Sequence, residues 1–245
     1  MSESVTKPNY TELVFYNDLW INKECRLLLV RFKLLLILFL YAGLAEADLT
    51  GITLELANVD SDWKFDSGVR EAQINSIAFQ IEEKTATGLS VGGGIGYFDM
   101  RVVGDSSTKT RKFDGEYLQV YLRQEIRISE SISLHGLFNY SYNNGRDNSG
   151  SDNDEIDRVD IDWNEASLQI DASLRFANFG ITPFAAYYDI DGDISDDNGT
   201  EVFEMDDPVS HGIRFDYYTD PTAFIRIVFQ SGGQAGGYLI FARRY

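Results

Sequence analysis

Residues 117–142 read YLQVYLRQEIRISESISLHGLFNYSY and alternate with a period of two. Successive side chains of a strand point to opposite sides, so this alternation predicts strands with one apolar and one polar face. The apolar positions of the first half are Leu118, Val120, Leu122, Ile126 and Ile128, and the polar ones are Gln119, Tyr121, Arg123, Glu125 and Arg127. A short polar turn at residues 129–131 separates the two halves, which predicts a hairpin.

The hairpin arms are long. Each spans about a dozen residues, whereas strands of soluble proteins average about five or six and a tilted strand crosses a bilayer with about nine to eleven. The same alternation recurs between residues 49 and 245 and predicts ten strands, with eight as the alternative number if two are miscounted. Short turns alternate with longer polar loops, of which residues 143–162 and 190–208 are the longest. Unequal ends of this kind favour an all-β, closed, antiparallel, up-and-down transmembrane β-barrel.

Composition narrows the choice of function. The chain has 245 residues, 44% of them apolar, and a net charge of −18. Such a negative charge argues against a nucleic-acid partner, because phosphate binding requires clustered Lys and Arg. The single cysteine, Cys25, excludes an intrachain disulfide.

The N-terminal part contains a pattern typical of a cleavable signal peptide. Arg31 and Lys33 precede an apolar run at residues 34–45, and Ala45 and Ala47 form an Ala-x-Ala ending. We therefore predict a signal peptide at 30–47 and a mature barrel at 48–245. Residues 1–29 lack a clear period, and we expect translation to start near residue 29 or 30, with 1–29 as an upstream extension. A membrane-anchor helix is the alternative, but it requires about 20 apolar residues.

The chain ends with GYLIFARRY, in which Leu239, Phe241 and Tyr245 lie at even spacing. This ending resembles the assembly signal of bacterial outer-membrane β-barrels, and the chain as a whole resembles the small porin-like barrels of the OmpA type. Tyr replaces the commoner terminal Phe, and Arg243 occupies an apolar-face position. The resemblance implies Sec-type export to the outer membrane of a Gram-negative cell, insertion by the barrel-assembly machinery, and contact with outer-membrane lipid and lipopolysaccharide. It leaves the oligomeric state open.

Alternation alone does not say which face is inside. A soluble periplasmic β-sandwich or a lipocalin-like barrel would turn the apolar face inward. In a membrane barrel the polar face fills the lumen instead, and opposite charges there must pair. The predicted lumen network comprises Glu55, Glu82, Arg123, Glu125, Arg127, Asp171, Arg175, Arg214 and Asp216. It would plug a narrow barrel or, alternatively, line a narrow channel. Gly92, Gly94 and Gly96 share the predicted lumen face and would leave room for the side chains of Tyr121 or Arg123.

No catalytic motif is present, so we predict a non-enzymatic barrel with a structural or surface-interaction role. The alternative is a lipid-modifying or proteolytic barrel enzyme that uses His211 with Asp206 or Asp207.

Two acidic segments are the most unusual feature. Residues 147–165 carry eight acids and residues 189–207 carry nine, and both are predicted to lie in external loops. A solvated acidic surface is the simple interpretation, and weak Ca²⁺ or Mg²⁺ binding is the alternative. The start Asp189-Ile-Asp-Gly-Asp193 resembles an EF-hand, but Ile194 stands where that loop requires glycine. No other cofactor is expected.

Overall fold

The computed structural model describes residues 49–103, 110–147, 159–196 and 199–245, and their regular structure is all β-strand. The predicted signal peptide at 30–47 and the extension at 1–29 lie outside the described residues. No described segment is a helix of the length and apolarity needed to cross a bilayer. The strands are β1 (Leu49–Phe65), β2 (Gly68–Lys84), β3 (Leu89–Val103), β4 (Arg111–Arg127), β5 (Ile132–Asp147), β6 (Asp160–Phe176), β7 (Phe179–Asp196), β8 (Gly199–Met205), β9 (Val209–Tyr218), β10 (Ala223–Gly232) and β11 (Gln234–Arg244).

The strands form one closed antiparallel ring. With β8 set aside, strands that are neighbours in the chain pair with each other, and β7 pairs with β9. The ring closes where β1 pairs with β11, from Gly51↔Arg244 to Ser61↔Gln234. Closure removes exposed sheet edges, since each strand finds partners on both sides. The predicted closed, up-and-down, antiparallel barrel is confirmed.

The ring changes its strand number along its length. At the end that carries the short turns, here called the turn end, β7 pairs directly with β9 and the ring has the ten predicted strands. Toward the opposite end of the barrel, β9, β10 and β11 do not extend as far as the other strands. There β8 pairs with β7 on one side and with β1 on the other. Eight strands, β1 to β8, therefore close the opposite end. Arg70 of β2 helps to hold β8 there, because its guanidinium donates at 3.0 and 2.8 Å to the two carboxylate oxygens of Glu201.

The segments predicted as long loops are largely strand, which corrects the sequence interpretation. β5 continues to Asp147 and β6 begins at Asp160, while β7 runs to Asp196 and is followed at once by β8. The loop predicted after the first strand is a tight turn at residues 66–67. In β7, the acidic residues alternate with buried residues such as Ile190 and Ile194. The sequence predicts a loop for this segment because it contains so many acids.

The part of the ring nearer the turn end, here called the belt, is apolar outside and polar inside. Its outward side chains are exposed although they are large and apolar, among them Ile52, Leu54, Phe79, Ile95, Leu122, Phe138, Leu168, Ile170, Phe215 and Ile227. Polar side chains cross the interior. The Gln234 amide of β11, for example, donates to Glu165 of β6 across the ring at 3.3 Å. The structure thus decides the question that alternation left open, and in the belt the polar face is inside.

The other part of the ring, here called the collar, reverses this arrangement. It consists of residues 59–65, 68–74, 98–103, 111–117, 143–147, 159–164, 189–196 and 199–205. On β3 the outward residues change from Ile95 to Asp99 and Arg101, while the inward ones change from glycine to Phe98 and Met100. The inward side chains form one buried apolar core: Trp63, Phe65, Ala72, Phe98, Met100, Val102, Phe113, Val159, Ile161, Trp163, Ile190, Ile194 and Phe203. The collar is therefore built like a soluble barrel that continues the belt.

Outward-facing tyrosines mark the border between the two parts. The hydroxyl of Tyr140 donates to Asn164 at 2.6 Å, and that of Tyr142 donates to Asp162 at 2.9 Å. Both hydroxyls point toward the polar outer surface of the collar, while their rings adjoin the belt. Tyrosine prefers such positions between an apolar and an aqueous environment.

At the turn end, Asp220 organises the turn between β9 and β10. Its carboxylate accepts from the hydroxyl and the amide of Thr222, both at 2.7 Å, and from the amide of Ala223 at 2.9 Å. These hydrogen bonds favour the ionised form and hold the pKa of Asp220 below its usual range.

Candidate functional site: the barrel lumen

The lumen of the belt contains most of the charged residues predicted to lie there, arranged as pairs. One buried group is centred on Asp171 of β6. It accepts from Arg214 of β9 at 3.0 Å and contacts Nδ1 of His135 of β5 at 2.6 Å. The Asp171 side chain is 2% exposed. The ion pair with Arg214 and the hydrogen bond with His135 compensate for removing this carboxylate from water.

A second ion pair joins the neighbouring strands β9 and β10. Arg226 of β10 donates from Nε and Nη2 to the two carboxylate oxygens of Asp216, at 2.6 and 3.1 Å. This two-point geometry fixes both side chains. Arg226 was not among the predicted site residues, although it alternates with Ile225 and Ile227, and that pattern could have revealed its inward orientation.

A third group lies nearer the turn end. Glu82 of β2 accepts from Arg123 of β4 at 3.3 Å and lies 3.7 Å from a guanidinium nitrogen of Arg244. Lys84 pairs with Glu125 beside it. These contacts tie β2 to β4 and to β11 across the interior.

Two predicted members of the network lie outside it. The side chain of Arg127 is 71% exposed, and its guanidinium lies 3.6 Å from Glu125 at the turn-end rim. Arg175 is exposed at the same rim, with its guanidinium 3.9 Å from the ring centre of Tyr218. Both follow the inward alternation but fall in the last residues of their strands, where solvent hydrates the charge. The prediction that they fill the lumen needs this correction.

Glu55, the remaining predicted residue, lines a cavity of about 230 Å³ in the middle of the lumen. Its carboxylate accepts from the Gln80 amide at 3.5 Å. Glu165 lines the same cavity and was missed, because it lies in an acidic segment interpreted as a loop. Arg123, Arg214 and Arg226 line the cavity too, each through the pairs described above.

The collar core closes the lumen at the end opposite the turns. The Trp63 ring stacks on Phe203 with 4.4 Å between ring centres, and Trp163 packs edge-on against Phe98 at 4.9 Å. Trp63, Phe98 and Phe113 are at most 1% exposed. Among the described residues, these apolar side chains form one core across the ring at this level.

Two of the three lumen-facing glycines of β3 make room for aromatic side chains of β4. Gly92 pairs with Tyr121 and Gly96 with Tyr117. A Cβ placed on Gly92 would lie 2.2 Å from Cζ of Tyr121, and one placed on Gly96 would lie 2.3 Å from Cζ of Tyr117. Only glycine allows these rings to lie across the lumen wall.

His211 lies on the outward face of β9 and is exposed, beside Ala185 and Ser231. Within the described residues, no hydrogen bond or ion pair joins it to Asp206 or Asp207, and the Asp207 carboxylate instead accepts from the Val209 amide at 3.0 Å. The acid and histidine of the alternative enzyme hypothesis are therefore not brought together.

The EF-hand resemblance also fails, because residues 189–193 are part of β7. Asp189 and Asp191 are exposed on its outer face and Asp193 follows on the same side. A straight strand cannot wrap these carboxylates around one ion. Among the described residues, no three His, Cys, Asp or Glu side chains form a group that could hold a metal. Most of the acidic segment at 147–165 falls on residues 148–158, outside the described part.

The structure places the proposed assembly residues on the outer face of β11. Leu239 pairs with Leu56 and Phe241 with Leu54, all of them outward. Tyr245 is exposed, and its amide donates to Thr50 at 2.8 Å. Arg243 lies opposite the outward-facing Ile52, with its guanidinium 5.6 Å from the ring centre of Tyr245.

The chain is thus a closed antiparallel β-barrel with an apolar outer belt, a charged lumen and an apolar-cored collar. No protein-family description and no curated protein sequence matches it. Its structural likenesses are to bacterial outer-membrane β-barrels. They include the translocator domain of the autotransporter NalP from Neisseria meningitidis (12% identity, 91% of this chain and 98% of that chain, TM-score 0.43). The outer-membrane protease OmpT from Escherichia coli (11%, 81% and 94%, 0.44) and Ail, the attachment invasion locus protein of Yersinia pestis (12%, 80% and 98%, 0.38), are others. These distant likenesses concern the barrel and indicate no particular role.

Proposed function

We propose that this chain spans the outer membrane of a Gram-negative cell as a sealed β-barrel with a structural or surface-interaction role. The observation that carries the proposal is the exchange of polarity between belt and collar. Lipid around the belt and water around the collar account for both outer surfaces of one continuous ring of strands.

The soluble alternative accounts for the collar alone. In a soluble protein, the large apolar side chains around the outside of the belt would be exposed to water, including Ile95 at 64% and Ile170 at 65% exposure. Each fully exposed side chain of this kind forgoes about 1.5–3 kcal/mol of burial free energy. In the collar, by contrast, the same strands bury their apolar side chains, as expected where water is the outer solvent.

The height of the belt suits a bilayer. On β4 and the first residue after it, the outward apolar residues run from Leu118 to Ile128, with Gln124 as the one polar interruption. At about 3.4 Å per residue and a tilt near 40°, this stretch rises about 26 Å along the barrel axis, close to the apolar band of about 25 Å in outer-membrane barrels. The tyrosines at the collar border would then lie at headgroup level.

A sealed lumen favours a structural role over conduction. The ion pairs of Asp171, Asp216 and Glu82 occupy the interior, and the collar core closes one end. Small barrels are generally filled by side chains in this way. A narrow channel is the second candidate, and it would require the collar core to open. His211 does not support the enzyme alternative, because among the described residues no hydrogen bond or ion pair joins it to an acid.

The collar surface is the proposed interaction surface. Its outward residues include the exposed carboxylates of Asp60, Asp62, Asp99, Asp191 and Glu204. Standing above the lipid, they would contact the lipopolysaccharide headgroup region and its counter-ions. Leu239, Phe241 and Tyr245 would present an aromatic, apolar strand to the barrel-assembly machinery.

Three measurements test the proposal. The refolded protein should migrate faster in SDS gels before boiling than after, because a closed barrel resists SDS, and it should insert into phospholipid vesicles. In planar bilayers it should give no discrete conductance steps. A heat-insensitive mobility together with no vesicle insertion would overturn the membrane assignment, whereas stable conductance steps would overturn the sealed lumen and favour the channel.

A further inference from the structure

We propose that the central lumen cavity binds a small organic cation that carries both ammonium and hydroxyl groups, of the diamino-alcohol type. The inference goes beyond the structural role above. It starts from two carboxylates in this cavity, those of Glu55 and Glu165. Each accepts one amide hydrogen bond, from Gln80 at 3.5 Å and from Gln234 at 3.3 Å.

These two carboxylates lack a basic partner. Within the described residues, no Lys, Arg or His nitrogen lies within ion-pair distance of either one. The arginines that line the cavity are committed elsewhere: Arg123 to Glu82, Arg214 to Asp171, and Arg226 to Asp216. A carboxylate enclosed in the lumen without a counter-charge is costly, so a cation is the ligand that this cavity would favour.

The walls and the size of the cavity indicate an organic cation. Trp163, Tyr117, Tyr188 and Tyr238 line it, and aromatic faces attract ammonium groups. Its volume of about 230 Å³ exceeds that of several waters, at about 30 Å³ each, and accommodates a ligand of about six non-hydrogen atoms. The described residues offer no three-ligand group for a metal ion.

A third polar group, the side-chain amide of Gln119, indicates that the same ligand also carries a hydrogen-bond acceptor. Gln119 lines the cavity, is 8% exposed, and its amide nitrogen is buried without a hydrogen-bond partner. Such an unpaired donor is unusual in a native structure and is satisfied when a ligand oxygen accepts from it. A hydroxyl between two ammonium groups would meet the donor and both carboxylates together.

Access would be from the turn end. A second cavity of about 60 Å³ lies on that side, and Tyr121, Arg123 and Arg226 line both cavities. These side chains form the wall that a ligand must pass. The collar core closes the opposite side.

Isothermal titration of the refolded full-length barrel in zwitterionic micelles tests the proposal, with 1,3-diaminopropan-2-ol as the probe. Glycerol, in which hydroxyls replace both amino groups, is the uncharged control, and NaCl keeps the ionic strength constant. We expect saturable one-to-one binding of the diamine and none of glycerol. Glu55→Gln and Glu165→Gln should each weaken binding at least tenfold, whereas Glu116→Gln on the exposed collar surface should leave it unchanged.

Gln119→Leu separates a binding role from a structural one. It should weaken binding of the probe while leaving the thermal unfolding temperature unchanged or higher, because it removes an unsatisfied donor. If Glu165→Gln does not refold, Glu55→Gln and Gln119→Leu decide the question. Absence of saturable heat above the glycerol control, or full affinity in both folded Glu→Gln variants, would overturn the proposal. Neither result bears on vesicle insertion or conductance, which test the sealed membrane barrel separately.

Discussion

Placing the same arginine at two heights on β4 tests the membrane assignment directly. Leu122 and Glu116 both face outward and are exposed, and they lie on the same face of the same strand. Leu122 lies between Val91 and Phe138 in the belt, whereas Glu116 lies beside Tyr97 and Asn144 at the collar border. Leu122→Arg and Glu116→Arg therefore differ mainly in the solvent that surrounds the new guanidinium.

The expected magnitudes follow from the distance between the two positions. Six residues of strand rise about 20 Å, or about 16 Å along the membrane normal at a tilt near 40°. Half of an apolar band about 25 Å tall is about 12 Å. With Leu122 near the midplane, Glu116 lies in the headgroup region or beyond. Leu122→Arg should cost about 2–4 kcal/mol of unfolding free energy, and Glu116→Arg about 0–1 kcal/mol.

Reversible denaturant unfolding in phospholipid vesicles measures both changes. Leu168→Arg repeats the belt substitution on β6, and Ser167→Asn on the inward face of that strand should cost far less. The reasoning is refuted if Leu122→Arg and Glu116→Arg cost the same. Equal costs would mean that belt and collar face the same solvent.

Further predictions concern packing and charge, each measured as a change in unfolding free energy. Gly92→Ala should cost about 1–3 kcal/mol, because the new methyl group meets the buried tyrosine ring opposite, while Gly136→Ala, with open space around its Cβ, should be tolerated. Equal effects of these two changes would contradict the packing argument. Phe113→Ala should cost about 3–5 kcal/mol because it opens a void in the collar core, and a cost below about 1 kcal/mol would show that the collar is not close-packed. Asp171→Asn should cost about 3–5 kcal/mol because it leaves the Arg214 guanidinium buried without its carboxylate, and a neutral result would show that water reaches this site.

The alternation in the sequence was sufficient to predict the strands. The ten strands of the belt were predicted near their observed positions, because a side-chain period of two survives whichever face is buried. The pairing of Gly92 with Tyr121 follows from the hairpin order, since antiparallel neighbours in the chain fix each other's register. The acidic segment at 189–207 was wrongly predicted to be a loop, because its many charges were given more weight than the alternating Ile190 and Ile194.

The sequence by itself determined that this chain makes long, two-faced strands, since that depends only on local alternation and turn residues. Only the tertiary structure decided which face is inside, because the answer changes along the barrel: polar at Glu55 in the belt, apolar at Trp63 in the collar. It also decided which charges pair. Asp171 meets Arg214 and Glu165 meets Gln234 because ring closure brings distant strands across one lumen. No local pattern encodes such distances, which is why the cavity between Glu55 and Glu165 became visible only in three dimensions.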